Sequence, residues 1–142
     1  MTVPFRFETV LRVREAERDR CRISLVEQQQ REALLVTDRQ RIVTERLSVL
    51  DELRVIQDGN GWSADRVIHR RQQAEQLVVE LTQIDAMLAE VAESLVRCRT
   101  ELLESDVSVK SLEKLAGRHD TEQRRVEQIA SDRDREDSWR AA

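Results

Sequence analysis

Neither glycine nor proline occurs between Phe5 and Asp58, or again between Ala64 and Ala116. A packed globule needs turns, and turns draw on residues that release or fix the backbone. Two unbroken stretches of this length exclude a strand meander or a bundle of short elements, and they leave long helices. Composition agrees: charged residues make up 37% and aromatics 3% of 142 residues, a thin supply for the single globular core that such a length ordinarily allows. An unstructured chain would share the high charge but not the regular spacing of the aliphatic residues.

That spacing is clearest in the second stretch. In alternating steps of three and four from Ala74, the chain reads Ala74, Leu77, Leu81, Ile84, Leu88, Val91, Leu95, Cys98, Leu102, Ser105, Val109, Leu112 and Ala116. A strict seven-residue apolar repeat specifies a left-handed coiled coil. The same frame weakens beyond it, through His119, Gln123, Val126, Ala130 and Arg133. The first stretch is noisier. Phe7, Arg14, Cys21, Gln28, Leu35, Ile42, Val49 and Ile56 form one series, and Leu11, Arg18, Leu25, Glu32, Arg39, Arg46 and Leu53 the other. The long polar members lay methylene stems over a seam while their heads reach water.

The segment QDGNGWSAD, residues 57–65, joins the two stretches and predicts an antiparallel hairpin. The expected architecture is all-α: one long two-helix coiled-coil hairpin over 1–142, with helix 1 at about 5–57, a turn at 58–63 and helix 2 at about 64–136. At 1.5 Å per residue these helices would be roughly 75 and 100 Å long, a rod. A turn centred near residue 60 makes the numbers of facing residues add to about 119 or 120. Leu35 then faces Ile84, Ile42 faces Leu77, and Cys21 shares a layer with Cys98, as two buried thiols or as a disulfide. Residues from about Ala116 onward find no partner, so helix 2 should overhang.

The joining segment has the acids and glycines of a ligand loop but not their order. Asp58 and Asn60 fit the first and third calcium ligands, whereas the fifth position is Trp62 and the twelfth is His69. No Lys-Ser/Thr pair follows the glycines, so a phosphate loop fails too. What remains is a turn, with Gly59 ending helix 1, left-handed backbone at Asn60 and Gly61, and Ser63 or Asp65 capping helix 2. His69 and His119 stand fifty residues apart. A two-helix hairpin offers no concave pocket around either, and catalysis, metals and cofactors are not expected.

Net charge is −4 with both signs interspersed. Even RVREAERDRCR, residues 12–22, sets Glu15, Glu17 and Asp19 among its arginines, and residues 75–106 carry eight acids against Arg97 and Arg99. Nucleic acid is therefore not an expected partner. No apolar run approaches the ~20 residues of a membrane span and the N-terminus lacks a signal-peptide core, which predicts a cytoplasmic protein. Val36, Val43, Leu47 and Leu50 on helix 1, with Val78 and Val79 on helix 2, widen the apolar surface near the turn beyond what a two-stranded seam needs. They read as a broader core, a site for a third helix, or a partner-binding face.

Three segments carry a family resemblance. FRFETVLRVREAERD at residues 5–19 has an aromatic-basic-aromatic opening followed by Leu and R-x-x-E. GNG with DRVIHRRQQ follows at the hairpin. KSLEKLAGRHDTEQRRVEQ from Lys110, and DRDRED near the end, complete the layout. In these the chain resembles the FliJ family, soluble rod-like components of the bacterial flagellar type III export apparatus, over its whole length. The resemblance implies a hairpin similar to the terminal-helix stalk of the rotary ATP synthase gamma subunit. It implies no enzymatic activity, a part in flagellum biogenesis and hence chemotaxis, and a cytoplasmic place peripheral to the inner membrane through protein partners. Those partners would be the hexameric flagellar export ATPase, the membrane protein of the export gate, and export chaperones. The tail signature maps the ATPase-facing role onto Lys110, Leu112, Glu113, Lys114, Leu115 and Arg118. The gate-facing role maps onto Val43, Leu50, Leu77 and Ile84. Arg46, Gln73 and Glu80 depart from that face, where the resemblance implies aromatic or apolar side chains.

Two other classes fit the heptads. A generic scaffold or homo-oligomeric spacer needs nothing beyond the repeat, and the equivalent stalk of a non-flagellar type III secretion system would share the hairpin but differ at both ends. A nucleic-acid-binding arm, disfavoured by the acidic middle, is more distant.

Overall fold

The computed structural model describes residues 3–59, 61 and 63–142. Two helices, α1 (Glu8–Asp58) and α2 (Ala64–Ala141), account for nearly all of it and pack against each other, so the fold is an all-α helical hairpin. α1 begins three residues beyond the expected start because Phe5, Arg6 and Phe7 form a turn after Pro4. The Glu8 amide donates to the Phe5 carbonyl at 3.1 Å and the Leu11 amide to the Phe7 carbonyl at 2.8 Å, which closes the first turn. At the other end α2 continues to Ala141, beyond the expected 136.

The link holds fewer special conformations than its glycines suggest. Gly59 follows the last residue of α1, and Ser63 precedes α2, its carbonyl accepting from the Val67 amide at 3.1 Å. No described glycine has a positive φ, so the left-handed backbone expected at Gly61 is not used. Asn60, for which the same was expected, lies outside the described residues.

Residues fall into two compact units, one of 24–98 and one of 1–23 with 99–142. Within the first, Ile42, Val49, Ala74 and Leu77 form a buried cluster, against which Leu50, Leu81 and Ile84 pack. Every position of the apolar frame from Ala74 to Cys98 is buried or half-buried. Cross-helix bonds fix its pairing: Arg39 Nε to Asp85 at 2.7 Å, Arg70 Nε to Glu52 at 3.0 Å, and Ser24 Oγ to Cys98 Sγ at 3.7 Å. In the second unit, Val109 is wholly buried, Arg18 reaches Asp106 at 3.9 Å, and Cys21 Sγ meets Ser105 Oγ at 3.5 Å.

These pairs correct the expected register. Facing numbers add to 124 at Arg18–Asp106 and Arg39–Asp85, to 122 at Ser24–Cys98 and Glu52–Arg70, and to 126 at Cys21–Ser105. The offset from the expected sum is about one helical turn. Its cause is the link: α1 stops at Asp58 and α2 starts at Ala64, so the turn is centred beyond residue 60. A seam that repeats every half-heptad accepts a one-turn slide with apolar still on apolar. Polar pairs decide the matter, and they give each cysteine a serine in place of the other cysteine. Both thiols are free.

Candidate interaction surfaces

The gate-facing residues named from the sequence all lie in the unit of residues 24–98, at differing depths. Leu77 is 4% exposed and belongs to the core, while Val43, Leu50 and Ile84 are half-buried. The accessible apolar surface is supplied by their off-seam neighbours: Val36, Leu47 and Val78 are 53%, 57% and 43% exposed. Val36, Val43 and Leu50 recur every seven residues on one stripe of α1, and Leu47 lies a turn from both Val43 and Leu50. Nearby, Thr44, Leu47, Ser48, Asp51, Arg66 and Arg70 border an open groove of about 660 Å³. Arg46, half-buried in the same stretch, has its Nε out of solvent without a hydrogen-bond partner.

The residues expected from the sequence to face the ATPase lie on α2 in the other unit. Leu112 is half-buried, whereas Lys110, Glu113, Lys114, Leu115 and Arg118 are exposed. Lys114 and Arg118, with Gly117, Thr121 and Glu122, line an open groove of about 670 Å³. Lys110 Nζ bonds Asp106 at 2.9 Å. That hydrogen bond, with the charges of Lys110, Arg18 and Arg22, holds the Asp106 carboxyl below its ordinary range against a smaller opposing effect of burial. In the first unit, the hydrogen bond and charge of Asp85 raise the Arg39 guanidinium further above its already high range.

A contact that the heptads did not specify closes this second unit. The N-terminal segment lies against α2, where His119 Nε2 donates to the Val3 carbonyl at 2.9 Å and the Val3 amide donates to Gln123 Oε1 at 3.4 Å. The Phe5 ring lies tilted by 50° against His119, with centroids 5.7 Å apart, and meets Phe7 edge-on at 5.9 Å. The seam frame extended through His119 and Gln123 carried the signal, but their polarity masked it. Cover therefore ends at Gln123 rather than Ala116, and every residue from Arg124 onward is exposed.

Among the described residues, no three His, Cys, Asp or Glu side chains gather where one metal ion would bind. No helix among them is long and apolar enough to cross a membrane.

Compared with known families, residues 3–133 match the model described as flagellar FliJ protein. The chain belongs to the FliJ family. Membership makes it a component of the flagellar export apparatus, and the match covers the segment that packs on His119, all of α1, and α2 as far as residue 133. No curated protein and no solved structure matched the chain.

Proposed function

We propose that this FliJ-family chain is a non-catalytic link between the hexameric export ATPase and the membrane protein of the export gate, and that it assists export chaperones. It hydrolyses nothing, and it reaches the inner membrane only through these partners. The bare C-terminal portion of α2 carries the reading: a helix exposed on every side from Arg124 to Ala141 gains no packing energy from its own chain, and a helix in that position is suited to capture by another protein. The opening of an ATPase ring would receive it, with Lys110, Glu113, Lys114, Leu115 and Arg118 at the rim and Leu112 holding them on the helix pair. The gate would contact Val43 and Leu50 together with exposed Val36, Leu47 and Val78, while Leu77 and Ile84 support that face from beneath.

Removal of residues 124–142 tests the ATPase half. Because cover ends at Gln123, the shortened chain should keep its full helical circular dichroism up to the lost residues and its thermal midpoint, yet no longer stimulate the export ATPase. Undiminished stimulation would sink that half. For the gate half, Leu47→Asp and Val78→Asp place charges on exposed positions, so gate binding should fall with folding intact and ATPase stimulation unchanged.

A further inference from the structure

Arg46 is set apart by a comparison within α1. It occupies the same heptad position as Arg18 and Arg39, and each of those reaches across to an aspartate on α2, Asp106 and Asp85. In both pairs the residue numbers add to 124. The same sum places Val78 opposite Arg46. At the sum of 122 made by the Glu52–Arg70 pair on its other side, the facing residue is Gln76, so at either register an arginine stands where the facing helix supplies no acid. Of the acids nearby, Glu45 pairs with Arg41 at 3.6 Å, Glu52 with Arg70 at 3.0 Å and Asp85 with Arg39 at 2.7 Å, while Glu75 and Glu80 on the facing helix make no ion pair with Arg46. Arg46 Nε, like Arg18 Nε, is shut off from water without a hydrogen-bond partner, but among the described residues Arg46 lacks the cross-helix ion pair that Arg18 and Arg39 each make.

Its surroundings make the missing acceptor informative. The stripe formed by Val36, Val43, Leu47 and Leu50 with Val78 is apolar and in large part exposed. A purely apolar partner helix laid over it would strip water from the rest of the guanidinium and leave a charge buried and unpaired. A helix that brings a carboxylate into the middle of its apolar stripe would satisfy the planar fork, and in a desolvated setting an arginine-carboxylate pair is strong and directional. The face thus attracts one kind of occupant and penalises the other.

We propose that Arg46 is the specificity residue of this face, and that its occupant is an amphipathic helix of the gate protein presenting an Asp or Glu among apolar residues. The proposal rests on the gate contact described above and adds the chemistry of what is bound. Inside the free chain Arg46 has no bond to lose, so replacing it with leucine removes a partly stranded cation and should leave the fold as stable as before or more so. In the complex, the same replacement removes the carboxylate's partner.

The test measures binding of the intact, detergent-solubilised gate protein to the full chain and to Arg46→Leu and Arg46→Lys, at low and high salt, with thermal midpoints in parallel. The expected result is a loss of affinity of roughly tenfold or more in Arg46→Leu. Its midpoint should equal or exceed that of the wild type. Arg46→Lys should fall between, since a point charge replaces a fork. The salt dependence of wild-type binding should flatten in Arg46→Leu. Wild-type affinity in Arg46→Leu would overturn the carboxylate partner and leave the gate contact standing. A midpoint that drops together with affinity would also overturn it, by making Arg46 a residue of the fold. Absence of wild-type binding would overturn the gate contact itself, and this proposal with it.

Discussion

The unit of residues 24–98 and the unit of residues 1–23 with 99–142 share a helix pairing but are held in different ways. In the first, Ile42, Val49, Ala74 and Leu77 gather into one buried cluster with Leu50, Leu81 and Ile84 on its flank. In the second, Val109 is the one buried hydrophobic side chain among the described residues, and the unit also holds a thiol-hydroxyl contact, the Arg18–Asp106–Lys110 charges and an N-terminal segment fastened to His119 and Gln123. Apolar burial stabilises by area and tolerates imprecise geometry, whereas polar contacts contribute about 1 kcal/mol each and depend on water and salt. The first unit therefore rests mainly on buried area, and the second depends more on contacts that water and salt can weaken.

That contrast can be broken in order of expected effect. Leu77→Ala should cost about 2–5 kcal/mol by opening a cavity in the buried cluster, read from urea denaturation. The same experiment on Leu115→Ala should show less than about 0.5 kcal/mol, since Leu115 is exposed; equal losses would erase the distinction. Phe5→Ala should cost about 1 kcal/mol and be read locally, as faster amide exchange near His119 and Gln123 with exchange around Ile42 and Leu77 unchanged. A global rise in exchange would mean that the N-terminal segment supports more than its own end.

The smallest effect concerns pH. Asp106 is held below its ordinary value of 3.8 in the folded chain. A depressed carboxyl adds stability above the unfolded value and loses it as pH falls below 3.8 toward the folded value. Asp106→Asn should therefore be slightly less stable than the wild type at neutral pH, with the difference closing as acid protonates Asp106. A gap that persists or widens in acid would contradict the stabilising charge pair.

The helices and the α2 seam were legible because nothing interrupts them and because one heptad frame runs from Ala74 to Ala116 without a slip. Register was less so. Periodicity fixes which face of each helix is buried but repeats every turn along it, so pairing Cys21 with Cys98 and pairing Cys21 with Ser105 satisfy the apolar pattern about equally. The second is made at 3.5 Å. The end of cover was misjudged for a related reason: His119 and Gln123 sit on the frame as polar residues, and their value lies in hydrogen bonds to the Val3 backbone, which apolar periodicity cannot encode. Depth also separates the residues that the sequence groups on one face near the turn. Leu77 and Val78 are neighbours in sequence, yet one is core and the other is surface, a distinction set by a single step around the helix.

The uncovered end of α2 has a thermodynamic consequence. Residues 124–141 inherit their helix from the covered part of α2, so they are spared nucleation and need only propagation, aided by spaced polar contacts such as Glu122–Arg125 at 2.9 Å and Gln128–Asp132 at 3.2 Å. A protein that grips this end meets a backbone already largely ordered, and the entropy loss that weakens capture of a disordered tail is small. Propagation without packing is nevertheless sensitive to warmth, so the grip should loosen with temperature sooner than the hairpin melts.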